Sequence, residues 1–557
     1  MRVFTKQLRT VFLVLGLVAV RTFAADIHGV VTDNARKPIR VAMISASKGI
    51  KLVARFSQAD GRYEITLPSG TYDVAVKAYG YESKSLKTDA GRAVNTDFTM
   101  TPKFAVSQLS GAELEALLPD TPESRLLKVE CVRCHSFTHV ARRAGLTAAQ
   151  WTSYLPHMTA PRQWGNPYAE GEFEGTTDTA DRPDRVVALG VALEKYFGPK
   201  SPYFGPGGKP LTASDVKHVP LRDAVLSSTI YEYRVPTMNI GAHSIMADAQ
   251  GNVWFSELQG SGNKVTKFNL ASETFTEYPM PFPGSRPHTG VFGKDGIIWM
   301  PLSGAHNPPL ASLDPKTGTT KTYSFPGFRA HTSAVDADGN IWITGSNFLK
   351  FDVKSLQFKE YKLPIPSGTE YNRNTQQGWH NLPGKPPQEV KRFTYDVRVD
   401  SKGMVWASNE ALGLLFRLNP KTGETKTYTP PGAVSIKGVE IDGEDNVWFG
   451  VFWGSRVGKF DQKTENFTMY QPPTTFGMPY GLSTDKRTGN MWYADVNGNF
   501  ISKLDPKTGK IDEYPIPSTQ ASARFPAVDP SGRVWFTEAM NDKIGYVDPG
   551  PKSGSGR

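Results

Sequence analysis

Cys131-Val132-Arg133-Cys134-His135 is the stretch whose residue types and spacing carry the most definite chemistry. Two thiols three positions apart can add to the two vinyl groups of one haem, and the adjacent imidazole is then held beneath the iron as its proximal ligand. Cys131 and Cys134 are the only cysteines among 557 residues, so packing is a poor explanation for keeping the pair. A structural dithiol, a disulfide or another metal site is the competing reading of C-x-x-C. For the sixth iron ligand the sequence offers Met158, a thioether that suits an electron carrier, with His157 and His139 as alternatives. The expected cofactor is therefore one covalent haem c, bound through Cys131 and Cys134 with His135 and Met158 on the iron.

A second set of chemical residues is carried by a repeat. Trp254, Trp299, Trp342, Trp406, Trp448, Trp492 and Trp535 each follow a turn and an apolar residue, at spacings of 45, 43, 64, 42, 44 and 43. That period fits four-stranded propeller blades. Eleven residues before each Trp stand His243, His288, His331, Tyr395, Lys437 and Arg524, and in the sixth blade Tyr480 stands twelve before. Innermost strands line the central channel, so these positions describe a polar pocket where filler would be apolar. Just past the Trp, Glu257, Asn409, Asp495 and Glu538 are expected to point into the same funnel. His243, His288, His331 and Glu257 are the catalytic candidates. Tyr395, Lys437, Tyr480, Asp495, Arg524 and Glu538 are the candidate substrate pocket. Three adjacent histidines can bind a metal ion (magnesium or a transition metal) or act as acid and base with the carboxylates; a water-filled polar rim is the plainer alternative.

The elements that position these groups follow in chain order. A basic start at Arg2, Lys6 and Arg9, an apolar run over 11–20 and small residues at Ala24-Ala25 read as a cleaved signal peptide, 1–24. That implies a soluble periplasmic protein, which is also where covalent haem attachment belongs. No transmembrane segment is expected in the mature chain. Residues 26–101 alternate in short runs with turn signals between them, a small β-sandwich. Residues 105–200 are helical, with helix starts at Ser110 and Thr147 and apolar faces at Trp151, Leu155 and Met158, then Val186, Leu189, Leu193 and Phe197. Residues 221–549 form the propeller. Its last blade lacks an outer strand after Val547, and the strand at 230–236 has that character, so the amino-terminal strand is expected to close the ring and remove both open edges. About twenty extra residues between Trp342 and Trp406, over 367–392, form an insertion that is either a lid or decoration. The fold class is thus multidomain and mainly β.

Composition narrows the partners. The formal charge of +10 falls by four once Arg2, Lys6, Arg9 and Arg21 leave with the signal. No block of Lys and Arg alternates with aromatics, which argues against nucleic acid. A periplasmic electron carrier and a small-molecule substrate of unknown identity are the expected partners. Phosphate loops, flavin fingerprints and nucleophile elbows are lacking.

Three resemblances sit on these residues. Asp60-Gly61-Arg62-Tyr63, Leu67-Pro68-Ser69-Gly70-Thr71-Tyr72 and Ala78-Tyr79-Gly80-Tyr81 resemble the carboxypeptidase regulatory-like module, which implies a non-catalytic transthyretin-like sandwich. Cys131 to His135, Trp151 to Met158 and Tyr196-Phe197-Gly198-Pro199 are similar to mono-haem c-type cytochrome domains attached to periplasmic dehydrogenases. Gly251-Asn252-Val253-Trp254-Phe255-Ser256-Glu257 and Gly532-Arg533-Val534-Trp535-Phe536-Thr537-Glu538 resemble the virginiamycin B (streptogramin) lyase family. That likeness implies a seven-bladed propeller and ester opening by elimination, with a magnesium ion and a histidine base; His243 and His288 match the family's histidine pair. Two functions from different classes follow. In one, a propeller-borne site exchanges electrons through the haem as an oxidoreductase. In the other, the propeller is a lyase or a binding module and the cytochrome is an attachment.

Overall fold

The computed structural model describes residues 24–131, 136–159, 183–201, 211–304, 309–328, 330–345, 347–363, 394–410, 412–433 and 435–550. The expected signal peptide, Cys134 and His135, the side chains of His157 and Met158, and the 367–392 insertion lie outside the described residues.

The amino-terminal unit is a β-sandwich. Strands β1 (Ala24–Asp33), β2 (Met43–Lys48), β3 (Lys51–Phe56), β4 (Arg62–Pro68), β5 (Thr71–Lys77), β6 (Lys84–Asp89), β7 (Val94–Asn95) and β8 (Phe98–Met100) form two sheets. One has the order β4-β1-β7 with β8 also on β1, and the other runs β3-β2-β5-β6. The alternation in β4 and β5 is the cause: Tyr63, Ile65 and Leu67, with Tyr72, Val74 and Val76, all face inward onto Ile27, Val31 and Ile44. Fully burying an aliphatic side chain of this kind contributes about 1.5–3 kcal/mol.

Among the described residues of 105–200 five helices follow: α1 (Gly111–Ala116), α2 (Pro122–Cys131), α3 (Thr138–Ala141), α4 (Ala148–Thr159) and α5 (Pro183–Phe197). Helix α1 starts as expected from its capping box, since Ser110 Oγ accepts from Glu113 N and the Glu113 carboxylate accepts from Ser110 N. Trp151 and Leu155 of α4 and Val186, Leu189, Leu193 and Phe197 of α5 face one shared core.

From strand β9 (Thr229–Arg234) onward, seven four-stranded sheets follow one another. Six are built from consecutive antiparallel strands over 242–279, 291–323, 333–361, 397–428, 436–470 and 479–515. In the seventh, the three strands within 527–548 take β9 as their outer strand, with Tyr546 opposite Tyr231 and Val547 opposite Ile230. The ring is closed by its own amino-terminal strand, as the missing last strand requires.

The other edge of β9 is also occupied. It pairs antiparallel with β3 of the sandwich, Val53 opposite Tyr231 and Ala54 opposite Ile230, so one sheet of eight strands runs through both units. Each blade Trp is nearly fully buried. In five blades an aspartate six residues earlier accepts its indole N–H: Asp248 (3.1 Å), Asp336 (3.0 Å), Asp400 (3.0 Å), Asp442 (2.8 Å) and Asp529 (2.9 Å). The same carboxylates accept backbone N–H groups of their own turns, as Asp400 does from Lys402 and Met404. Each therefore folds its turn back under the Trp.

Candidate functional site

His243, Lys437 and Tyr480 are the second residues of their innermost strands, His288, His331, Tyr395 and Arg524 stand two or three residues before theirs, and the structure gathers all seven side chains into one buried ring. His243, His288, His331, Tyr395, Lys437, Tyr480 and Arg524 are each at most 3% exposed. The imidazoles of His243 and His288 have centroids 4.0 Å apart, those of His288 and His331 3.9 Å, and His331 lies 4.2 Å from the Tyr395 ring. Tyr395 and Tyr480 are bonded hydroxyl to hydroxyl. Lys437 Nζ donates to Tyr395 Oη at 3.3 Å and pairs with Glu410 at 2.8 Å. The Arg524 guanidinium lies 4.8 Å over the Tyr480 ring, and His243 closes the circle 6.1 Å from Tyr480.

Backbone geometry explains how the ring can be so tight. At Gly438 an added Cβ would meet Tyr480 O at 2.4 Å, and at Gly481 it would meet Phe525 Cδ1 at 2.5 Å. The innermost strands of neighbouring blades touch there, and only glycine after the ring residue permits it. Hydroxyls then lock the ring's main chain: Thr537 Oγ1 donates to His243 O (2.9 Å), Ser244 Oγ to His288 O (3.0 Å), Thr344 Oγ1 to Tyr395 O (3.1 Å) and Ser408 Oγ to Lys437 O. Thr344, Ser408 and Thr537 each stand two residues past a Trp. That spacing was the available signal for a supporting shell the sequence reading missed.

Burial, then the nearby Arg524, His331 and Lys437 charges, hold His243 far below the usual histidine range, and His288 is held down in the same way. Burial carries His331 down to about 3. All three are therefore neutral at ordinary pH. The tautomer of His331 is fixed, because its Nδ1 lies 2.6 Å from Tyr395 O, and a carbonyl can only accept. The proton sits on Nδ1, and Nε2 is the unprotonated nitrogen. His243 Nδ1 is buried with no hydrogen-bond partner.

The four residues expected in the funnel are each held by hydrogen bonds at or just after the end of a second strand. Glu257 accepts from Thr266 Oγ1 on the third strand at 2.6 Å. Asp495 is held by the N–H groups of Met478 (2.8 Å) and Gly498 (2.7 Å), Asn409 Oδ1 accepts from Leu412 N (2.7 Å), and Glu538 accepts from Asn541 at 2.9 Å. Burial raises Glu257 to about 7 and Asp495 to about 6. Among the described residues no three His, Cys, Asp or Glu side chains are grouped to hold a metal ion. The three imidazole rings are tilted on one another by 50° and 41°.

The helical segment covers this ring. Cys131, Leu127, Phe137, Val140, Leu189, Leu193 and Phe197 belong to one buried cluster with Tyr395, Phe452, Tyr480 and Phe525 of the propeller. Asn497, on the loop after the second strand of blade six, pins the join. Its Oδ1 accepts from Phe137 N (3.0 Å) and Ser136 Oγ (3.3 Å), its Nδ2 donates to Glu115 Oε2 and Phe476 O (both 2.9 Å), and its carbonyl accepts from Ala112 N (3.0 Å). A Cβ on Gly111 would come within 2.1 Å of Asn497 Oδ1, so glycine is needed for the approach. Burial raises the Glu115 carboxyl to about 8. Of the alternative iron ligands, His139 has Nδ1 3.3 Å from Ser136 O on α3.

Comparison with known proteins bears on two of the three units. A sequence profile of the virginiamycin B lyase family matches residues 386–553, and one of the carboxypeptidase regulatory-like domain matches 26–101. A streptogramin B lyase structure superposes with a TM-score of 0.50 at 20% identity, covering 59% of this chain and 99% of that one. The propeller is virginiamycin B lyase-like. Selenomethionine-substituted virginiamycin B lyase from Staphylococcus aureus is similar at 20% identity, TM-score 0.48, over 57% of this chain and 99% of that chain. No curated protein matches by sequence. The lyase-like unit here carries a carboxypeptidase regulatory-like sandwich on β9 and a helical layer over its channel. Among the described residues, no helix is long and apolar enough to cross a membrane.

Proposed function

We propose that the chain is a periplasmic c-type haem protein in which the channel ring binds a small-molecule substrate and exchanges electrons with a carrier through the haem. One observation carries this reading: the residues directly following the C-x-x-C-H motif are hydrogen-bonded to the propeller through Asn497, and Cys131 shares a buried cluster with Tyr395 and Tyr480 of the ring. The described surroundings suit the group, since Cys131 ends α2 among Leu127, Phe137 and Val140, the apolar shell a porphyrin requires. When bound through Cys131, Cys134 and His135, with Met158 as sixth ligand, haem supplies one-electron transfer. The protein's own residues do the rest. His331 offers a lone pair at Nε2, Lys437 and Arg524 supply fixed positive charge, and the helical layer excludes water.

The test is an optical spectrum of protein exported with haem-maturation machinery. Reduced c-type bands are expected, and Cys134→Ala should abolish haem that survives a denaturing gel. Met158→Ala should remove the sulfur-to-iron band. Replacing His243 and His288 should eliminate turnover while the haem spectrum stays intact. Wild-type protein without haem would sink the reading.

A second reading is a lyase-like elimination, favoured by the family match over 386–553 and by the His243–His288 pair. Against it, Arg286 and Leu302 stand two before and fourteen after His288, where acids would be wanted. Magnesium-dependent opening of a cyclic depsipeptide ester by haem-free protein would establish it.

A further inference from the structure

We infer that Glu538 and Glu232 share one proton and form a latch on the strand that closes the propeller, a latch that slackens as the solution turns alkaline. Glu232 stands on β9, and Glu538 ends the second strand of blade seven, Val534–Glu538. The last strand, Lys543–Asp548, runs between them. Register explains how the two acids meet. Glu538 lies opposite Lys543, and Gly545 lies opposite Glu232. Blade one repeats the layout, with Glu257 opposite Lys264 and Thr266 opposite Glu277. There the Thr266 hydroxyl donates to Glu257 at 2.6 Å. Gly545 has no hydroxyl to offer, and a Cβ on it would come within 2.5 Å of Tyr231 O. Blade seven therefore leaves its two carboxyls within hydrogen-bonding reach of each other.

Charge is the first argument. Both acids are buried, and one ammonium serves them, Lys543 Nζ at 2.8 Å from Glu232 Oε2. Lys77 of β5 stands at the margin, where its Nζ donates to Pro517 O at 3.4 Å. Two carboxylates on one ammonium would bury an unpaired negative charge, and such a site takes up a proton instead. The second argument is the distribution of donors. Glu232 is saturated, by Ser518 N and Ser518 Oγ at 2.7 Å each and by Lys543. Glu538 accepts from Asn541 at 2.9 Å on Oε2, while its Oε1 is buried with no donor. An ionised oxygen left so is costly; a protonated one donates to Glu232 and needs nothing more. Burial first, then the Glu232 charge, holds the Glu538 carboxyl well above its ordinary range against the pull of Lys543. The other charged groups around the joint leave this intact. Asp542 accepts from Asn239 N and Ile240 N, His243 on the neighbouring innermost strand is neutral, and Arg234 is exposed.

The folded protein thus holds a proton that the unfolded chain releases. The latch's contribution is complete below the ordinary glutamate value near 4.5 and is lost as pH rises toward the higher folded value. Its loss bears on the ring, because Thr537, next to Glu538, donates to the His243 carbonyl at 2.9 Å. Amide hydrogen exchange of the full-length protein, corrected for the intrinsic rate at each pH, reads the latch locally. Between about pH 6 and pH 9, protection of the last strand should fall roughly tenfold more than that of the fourth blade, 397–428. Glu538→Gln, whose amide donates to Glu232 without titrating, should remove the difference, and Glu257→Gln should leave it. If Glu538→Gln does not fold, Glu232→Gln takes its place, since it frees Lys543 to pair with Glu538 and should likewise remove the alkaline fall. A fall shared equally with the fourth blade, no fall at all, or a fall unchanged by the latch substitution would each overturn the inference.

Discussion

The two amino-terminal units grip the same propeller by different means. The sandwich joins through backbone, β3 laid along β9, with side-chain support from Lys51 on Glu273 and Lys77 on Pro517 O. The helical layer joins through side chains, with three hydrogen bonds from the Asn497 side chain to Phe137, Ser136 and Glu115, and with Glu115 buried beside it. Main-chain pairing fixes a unit firmly yet tolerates sequence change; a saturated side-chain clasp fixes one orientation and no other. The sandwich therefore stabilises, and the helical layer is aimed.

That contrast can be broken from either side. The largest effect is expected from Ala54→Pro, which removes a ladder donor and wedges a ring between β3 and β9. A loss of about 2–4 kcal/mol, seen as a lower thermal midpoint, should leave the haem spectrum untouched; a changed spectrum would mean the two attachments are coupled. Asn497→Ala comes next. It leaves the Phe137 N–H and the Glu115 carboxyl unpaired, at about 1–3 kcal/mol each. Limited proteolysis should then cut within 105–200 first, and haem potential should shift although haem stays attached.

Glu115→Gln sharpens the same clasp through pH. Burial raises the folded-state carboxyl to about 8, above the unfolded value near 4.5, so the folded protein holds a proton that the unfolded chain releases. Its contribution is complete below the unfolded pKa and is lost as pH rises toward about 8. Glu115→Gln should flatten the decline of the thermal midpoint between pH 5 and 8. Some slope should remain from Asp495, Glu257 and Glu513, whose carboxyls burial also raises, to about 6, 7 and 7. The smallest effect lies inside the propeller. Asp400→Asn keeps an oxygen for the Lys402 and Met404 N–H groups but frees the Trp406 indole N–H, and should cost about 1 kcal/mol in denaturant unfolding. Blades two and six lack such a bond at Trp299 and Trp492 and offer the natural comparison.

Period made the propeller legible. Seven tryptophans at near-constant spacing placed the blades, and the position eleven before each Trp located the ring, because a repeat carries strand position directly. It does not carry direction. Glu257, Asp495 and Glu538, just past their Trp, end the second strands, and their hydrogen bonds to Thr266, to backbone N–H groups and to Asn541 are ones that no spacing encodes. The capping box at Ser110 was local and readable. Asn497 and Glu115 were not, since 382 residues separate them. The β3–β9 pairing was hidden for a related reason: two edges that find each other need no particular side chains.

That shared sheet also bears on the order of events during synthesis. The strand that β9 must finally receive, Lys543–Asp548, is made only after the other six blades. An isolated β9 would wait through the making of some three hundred residues as a bare, sticky edge. Laid on β3, which is made earlier, it waits already straightened and in register. The sandwich is thus a jig: it holds the first piece of the ring in place until the last arrives.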